Sequence, residues 1–332
     1  MKYGASYFGN RMLRHFIQRD LPEVIETGCS FILHTFSEYD WDFYRDAVGA
    51  MVRASKEAGL EVYLDPWGVA GAFGGEAYSR FLLRHPDAWH VRSDGVPLPI
   101  ACPSSLALRD FMEEWLDAAA RLGPDVIFWD EPSFTPKEAA SDVTVCHCSR
   151  CRRRFYERFG SDLPDHRTPE LTAFQEDCAI DFIGTLSAFA ARRGLRNAVC
   201  LLPFEDDAHG LPHWERIASL PHVDVLGVTP FWHLRGYSVE EYVPYWAAKV
   251  KDLCDRHGKE PQVWVQGFLI DAGREHEAGA AVAEAAGAGV RNIAVWGFRA
   301  CEHMTALRPD NPEAVWQAVT EAFARNRPTQ DH

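Results

Sequence analysis

Along the chain, the spacing of apolar and polar positions repeats one phrase. A stretch with apolar residues at helical spacing ends at glycine, a few polar residues follow, and a short run rich in β-branched and aromatic residues comes next. The runs fall at Tyr3–Phe8, Phe31–Thr35, Glu61–Asp65, Val126–Asp130, Ala198–Leu202, Val223–Val228, Gln262–Gln266 and Asn292–Trp296. Between them lie amphipathic segments such as Asp42–Gly59, Leu106–Gly123, Val239–Gly258, Glu275–Gly289 and Pro312–Arg325. The runs are predicted as strands and the amphipathic segments as helices. This alternation predicts an α/β protein, a single (β/α)8 TIM barrel over residues 1–332 with no linker or low-complexity stretch. A doubly wound open sheet would alternate in the same way. However, no GxGxxG follows the first strand and no GxxxxGKS/T occurs, so nucleotide binding has no support.

Two insertions interrupt the rhythm, over residues 66–105 after the third strand and 132–170 after the fourth. Both follow strand C-termini, the face on which barrel enzymes carry their sites. Polar and aromatic residues gather at these ends: Tyr7, Phe8 and Asn10; His34 and Glu38; Asp65 and Trp67; Asp130 and Glu131; Glu205, Asp206 and Asp207; Thr229, Phe231, Trp232 and His233; Gln266; and Trp296, Arg299 and Glu302. Carboxylates beside aromatic rings suit sugar chemistry. Cleaving a glycosidic bond needs one protonated carboxyl for the leaving oxygen and one ionised carboxylate at the anomeric carbon or its attacking water. Ring faces pack on the apolar faces of pyranoses. Asp206 and Asp207 read as solvated turn residues.

Charge narrows the partners. With 48 acidic against 34 basic residues, the net charge of -14 disfavours nucleic acid and anionic membrane surfaces and suits a small neutral carbohydrate or glycoside. No run approaches the ~20 apolar residues of a membrane span. The start, Met1 to Ala5, enters structure at once, so a cytoplasmic location is expected. Homo-oligomerisation is left open. The nine cysteines are an odd number and only three cluster, which fits reduced thiols, some on a metal, better than a disulfide framework.

The sharpest local feature is Ile127, Phe128, Trp129, Asp130, Glu131, Pro132. Side chains alternate along a strand, so one acid is expected in the barrel mouth and the next against a neighbouring strand or loop. The stretch resembles the Asn-Glu pair after strand 4 in barrel glycoside hydrolases of the large retaining clan, with Asp130 in place of Asn. That resemblance implies Glu131 as general acid/base, its pKa raised by an apolar setting beside Trp129 and Phe134. A weaker likeness, to the Asp-x-Asn-Glu-Pro-Ser stretch of α-glucosidase-type barrels, implies Asp130 as the attacking group. Clan members carry a nucleophilic Glu at the end of strand 7, where this chain has Gln266. The second carboxylate is therefore sought among Asp65, Asp130, Glu205 and Glu302. Gln266 is expected to bind sugar hydroxyls, with Tyr7, His34 and Trp296 also lining the substrate. Trp67 and Trp232 are expected as stacking platforms. Arg299 and Glu302 either bind substrate or pair with each other.

Cys146, Cys148 and Cys151 form a CxCxxC. Three thiolates this close point to a metal, but a structural tetrahedral zinc needs a fourth ligand. The CxxxCxxC spacing of radical iron-sulfur enzymes is absent. The neighbourhood resembles the zinc-bearing β-galactosidases of glycoside hydrolase family 42, which carry a strand-4 acid, a CxCxxC and a further cysteine on the loop after strand 3. This resemblance implies one structural zinc on Cys102, Cys146, Cys148 and Cys151, with His147 as the alternative fourth ligand; no nucleotide or organic cofactor is expected, since the Gly-rich phosphate loops are missing. Cys29, Cys178, Cys200, Cys254 and Cys301 read as small buried apolar residues. The reading is a glycoside hydrolase acting on a small glycoside or oligosaccharide. The alternatives are a metal-dependent sugar isomerase or lyase, using ligands such as His34, His209, His233 and His303, and a non-catalytic sugar-binding barrel.

Overall fold

The computed structural model describes residues 1–7, 12–75, 77–134, 143–204 and 211–326. Among the described residues ten strands are formed: β1 (Lys2–Tyr7), β2 (Phe31–Thr35), β3 (Glu61–Asp65), β4 (Trp89–Val91), β5 (Pro97–Ala101), β6 (Val126–Asp130), β7 (Arg196–Leu201), β8 (Val225–Val228), β9 (Glu260–Gln266) and β10 (Asn292–Trp296). Eight of them close in the order β1-β2-β3-β6-β7-β8-β9-β10, and β10 returns to β1 through Lys2↔Asn292 to Ala5↔Val295. All eight barrel pairings are parallel. The chain is thus a single (β/α)8 barrel. The remaining two strands form an antiparallel hairpin inside the insertion after β3, where the sequence pattern predicts only a loop.

Parallel barrel strands are covered on both faces, by helices outside and by each other's side chains within. The helices Arg45–Glu57, Leu106–Leu122, Pro169–Arg192, Val239–His257, His276–Gly287 and Pro312–Arg325 bury their apolar stripes on the outer face. The inside is filled by aromatic rings. Phe31 lies 4.9 Å from Tyr63, Phe128 lies 5.0 Å from Trp264, and Trp264 lies 5.5 Å from Trp296 between ring centroids. Such rings fit only where a neighbour gives way. A Cβ on Gly4 would fall 2.3 Å from the Phe31 ring.

Charges close the end of the barrel at which the strands begin. Lys2 pairs with Glu260 at 3.0 Å, and Arg196 with Glu61 at 2.7 Å and with Glu260 at 3.1 Å. These contacts extend two strands beyond their apolar runs, since β7 begins at Arg196 and β9 at Glu260. The interior is thereby plugged from below, and strand-end side chains above the aromatic layer face the opposite mouth. Gly4→Ala is expected to destabilise the protein by about 1–3 kcal/mol through overpacking against Phe31, read as a lower urea midpoint with an unchanged slope.

Candidate active site

At the C-terminal ends of the strands, a cavity of about 290 Å³ takes its walls from the ends of β3, β6, β7, β8, β9 and β10. Its acidic side is Asp130 and Glu131. Asp130 is reached by strand alternation, since Val126 and Phe128 already face the barrel interior. Alternation would turn Glu131 away, yet both acids line the same cavity. The cause is local: Glu131 has φ 42°, in the left-handed region, while its N–H still donates to Cys200 O at 3.0 Å. Glu131 Oε1 then accepts from Thr229 Oγ1 at 3.1 Å, across the end of β8. A bulky residue in this conformation is costly, and such strain concentrates at functional sites.

Asp65 lies beneath the pair and is not part of the cavity wall. It is wholly buried, and neither carboxyl oxygen has a hydrogen-bond partner. Burial first, and then the negative charges of Asp130 and Glu131, push its pKa well above the ordinary carboxylate value. Asp65 therefore keeps its proton to higher pH than an exposed carboxyl does. The Cys200 thiol is pushed up as well, by burial and by the same three acids.

The loop after β3 presses its backbone on the site. Gly74 N–H donates to Asp130 O at 3.0 Å, and a Cβ there would fall 2.1 Å from Asp130 Oδ2. A Cβ on Gly75 would fall 1.8 Å from Trp67 Cδ1. These glycines let the loop close on the acid and the indole. Trp67, Phe231, Phe268 and Trp296 supply the rings of the cavity. Phe231 and Phe268 have no role in the sequence reading beyond a place at the strand ends.

Several residues expected at the mouth stand elsewhere. His34 lies on the outer face of β2, where Nε2 meets Ser55 Oγ at 3.0 Å, and burial lowers its pKa to about 3. Tyr7 also faces outward, and its hydroxyl donates to Asp20 at 2.7 Å. Trp232 is fully buried and donates from Nε1 to Glu277 at 2.7 Å, so it anchors a helix and offers no open face. Gln266 is likewise buried, with Nε2 donating to Phe268 O at 2.8 Å and Oε1 accepting from Leu234 N at 3.2 Å. It braces two loops and leaves the amide no place for sugar hydroxyls.

Arg299 pairs with Glu23 and, at 3.2 Å, with Glu302. Glu302 lines a separate small crevice with Tyr7 and Ser6, so neither residue borders the cavity of Asp130 and Glu131. Trp129 points outward, its Nε1 donating to Asn197 at 2.8 Å, and Phe134 packs on His90 and Phe174. Neither ring borders that cavity. Glu38 accepts from the backbone of Ala70 and Phe81, which fixes the loop after β3. Asn10, Glu205, Asp206, Asp207 and His209 lie outside the described residues. His233 pairs with Asp271 and His303 with Glu302, so with His34 they form no common site.

Cys102, Cys146, Cys148 and Cys151 do converge. Their sulfur atoms all lie within 4.8 Å of one another, with Cys102 and Cys151 3.5 Å apart. A tetrahedron of Zn–S bonds near 2.3 Å puts sulfurs about 3.8 Å apart, so the set has the size of a metal site. Cys148 N–H points at Cys146 Sγ at 3.5 Å, and Cys151 N–H at Cys148 Sγ at 3.4 Å, where Cys148 caps the helix Ser149–Phe159. Amide donors of this kind favour thiolates. His147 is not in the group; its Nε2 contacts Thr144 Oγ1 at 2.8 Å. The cluster ties the β4–β5 hairpin to the loop after β6, beside the pairing of Arg92 with Val145.

No protein-family model matches the sequence, and no curated protein matches it. Solved structures match by fold. Across 98% of this chain, the β-galactosidase of the Antarctic haloarchaeon Halorubrum lacusprofundi is similar with a TM-score of 0.72 and 13% identity, over 58% of that chain. The β-galactosidase of Bacillus circulans sp. alkalophilus is similar with a TM-score of 0.69 and 12% identity, over 98% of this chain and 55% of that one. The endo-1,4-β-mannanase of Rhizomucor miehei gives 0.65 and 11%, over 98% of this chain and 95% of its own. This chain thus spans little more than half the length of the two β-galactosidases. At such identities the likeness is one of fold.

Asp65 gives the stability a pH dependence. The unfolded chain ionises this acid near its ordinary value of about 3.9, while the folded chain retains the proton to higher pH. The unfolded state thus binds fewer protons above that value, and Asp65 lowers stability progressively as pH rises toward its folded pKa. In urea unfolding from pH 4 to 8, the stability of Asp65→Asn relative to the parent is expected to rise with pH; an unchanged difference contradicts the raised pKa of Asp65.

Proposed function

We propose that the protein is a carbohydrate-active enzyme that hydrolyses a glycosidic bond, with Glu131 as proton donor and Asp130 as the second carboxyl. The observation that carries this reading is the pair of adjacent acids sharing one cavity with the rings of Trp67, Phe231, Phe268 and Trp296. Glu131 passes its proton to the leaving oxygen as the bond to the anomeric carbon breaks, and the Asp130 carboxylate stabilises the positive charge that develops there. Water supplies the hydroxyl of the freed sugar and returns a proton to the site. Asp65 below, its pKa raised, holds its proton to higher pH than an ordinary carboxyl and so does not compete with Asp130 for the role of the charged group. The fold likeness to two β-galactosidases and a mannanase is in keeping with this chemistry.

The test is turnover of a panel of α- and β-glycosides, with alkyl glycosides set beside nitrophenyl ones. Glu131→Gln and Asp130→Asn are each expected to lower kcat by about 10²–10⁴-fold, the range for a lost acid/base group, with ligand binding retained. Glu131→Gln should recover more of its rate on substrates whose leaving group needs no proton. Parent-like turnover in both variants refutes the assignment, and binding without turnover in the parent favours a sugar-binding barrel. NMR of the first-formed anomer then distinguishes retention from inversion.

We further propose that the four cysteines hold one structural zinc. With four protein ligands it would have no open position for substrate or an activated water, so its contribution is to fold stability. Metal analysis is expected to find one zinc per chain. Cys102→Ser should lose the ion and lower the melting temperature. Full metal content and stability in that variant would contradict the ligand set.

A further inference from the structure

The apolar lining of the cavity that holds the acid pair is unusual for a sugar site. Four leucines, Leu202, Leu234, Leu269 and Leu307, border the cavity. They come from the segments after β7, β8, β9 and β10. Leu234 and Leu269 remain 54% and 39% exposed, among the large apolar side chains the fold leaves in contact with water. Leu269 is also held at φ 48°, a left-handed conformation that disfavours a leucine. Its N–H donates to Leu307 O at 2.9 Å, which fixes two of these residues to each other. Exposure and backbone strain both oppose folding, and here they coincide at the mouth of one cavity.

The polar side chains of the same cavity, among the described residues, are Asp130, Glu131, Thr229 and Arg235, besides the Trp67 and Trp296 indoles. Thr229 already donates to Glu131, and the Arg235 guanidinium lies over the Phe204 ring at 4.3 Å. This set can serve the hydroxyls of one sugar ring. A second ring laid on the leucines would find no hydrogen-bond partner in their side chains. An apolar group there gains instead by leaving water.

We propose that the acidic side takes one sugar and the leucine wall takes an apolar aglycone. The substrates are then glycosides of aryl, terpenyl or alkyl alcohols, not oligosaccharides. The proposal rests on the glycosidase reading above and names its substrate class. Hydrolysis consumes one water and releases the free sugar and the apolar alcohol, to which Glu131 has given the proton.

The experiment compares kcat/KM for butyl, hexyl and octyl D-glucosides and D-galactosides of both anomers with that for lactose, cellobiose and maltose. These alcohols differ little in acidity, so chain length changes contact and not leaving-group chemistry. Each buried methylene is worth up to about fourfold, and a rise of at least tenfold from butyl to octyl is expected, with the disaccharides slower than any of them. In the Leu234→Asn, Leu269→Asn double variant the rise should vanish. Asn tolerates a positive φ, so Leu269→Asn should keep or raise the melting temperature, which separates lost contact from unfolding. Equal rates at all lengths, faster disaccharides, or an unchanged rise in the double variant overturn the proposal. If no glycoside is cleaved, the hydrolase reading fails separately, and calorimetric titration of 1-octanol tests the wall alone. Binding that is lost in the double variant supports an apolar subsite, and no binding overturns it.

Discussion

Closure of the parallel ladder around a filled interior is the constraint on which everything else depends. Once β10 pairs with β1, every barrel strand has two neighbours and the barrel has no open edge. The space inside then has to be filled, and Phe31, Tyr63, Phe128 and Trp264 fill it. Gly4 is a direct consequence, a position with no side chain because a ring occupies its volume. With the interior packed and the Lys2, Glu61, Arg196 and Glu260 charges beneath it, the inward-facing polar residues at the upper strand ends have one place to face.

That geometry explains which parts of the molecule were legible in sequence. Eight apolar runs with helices between them determine the barrel, and β2, β3, β6 and β10 begin and end where the pattern places them. The β4–β5 hairpin was missed because β4 is only three residues long and β5 carries two prolines, Pro97 and Pro99, which read as loop in the sequence. The inward or outward sense of each strand-end residue was harder to read. Strands covered on both faces bury every position, so burial does not separate His34, outside, from Asp65, inside; only the register does. Trp232 and Gln266 have the composition of ligand-binding residues, yet backbone and side-chain partners nearby consume their polar atoms.

The acid pair shows the converse. Strict alternation separates Asp130 from Glu131, and a left-handed turn at a residue other than glycine reunites them. No residue type in the sequence announces that turn. The four cysteines were legible for a different reason, since metal-ligand chemistry constrains spacing tightly. Even so, Cys102 comes from a distant insertion and was reached through a family likeness, not through periodicity. The fold then brings it to 3.5 Å from Cys151.

The plugged lower end has one more consequence. With the aromatic layer and the charged ring below, the described residues leave the cavity of Asp130 and Glu131 no passage through the lower end of the barrel. Anything that binds there enters and departs by the same opening, so arrival and departure compete for one doorway. A molecule left in the recess then keeps the next one out.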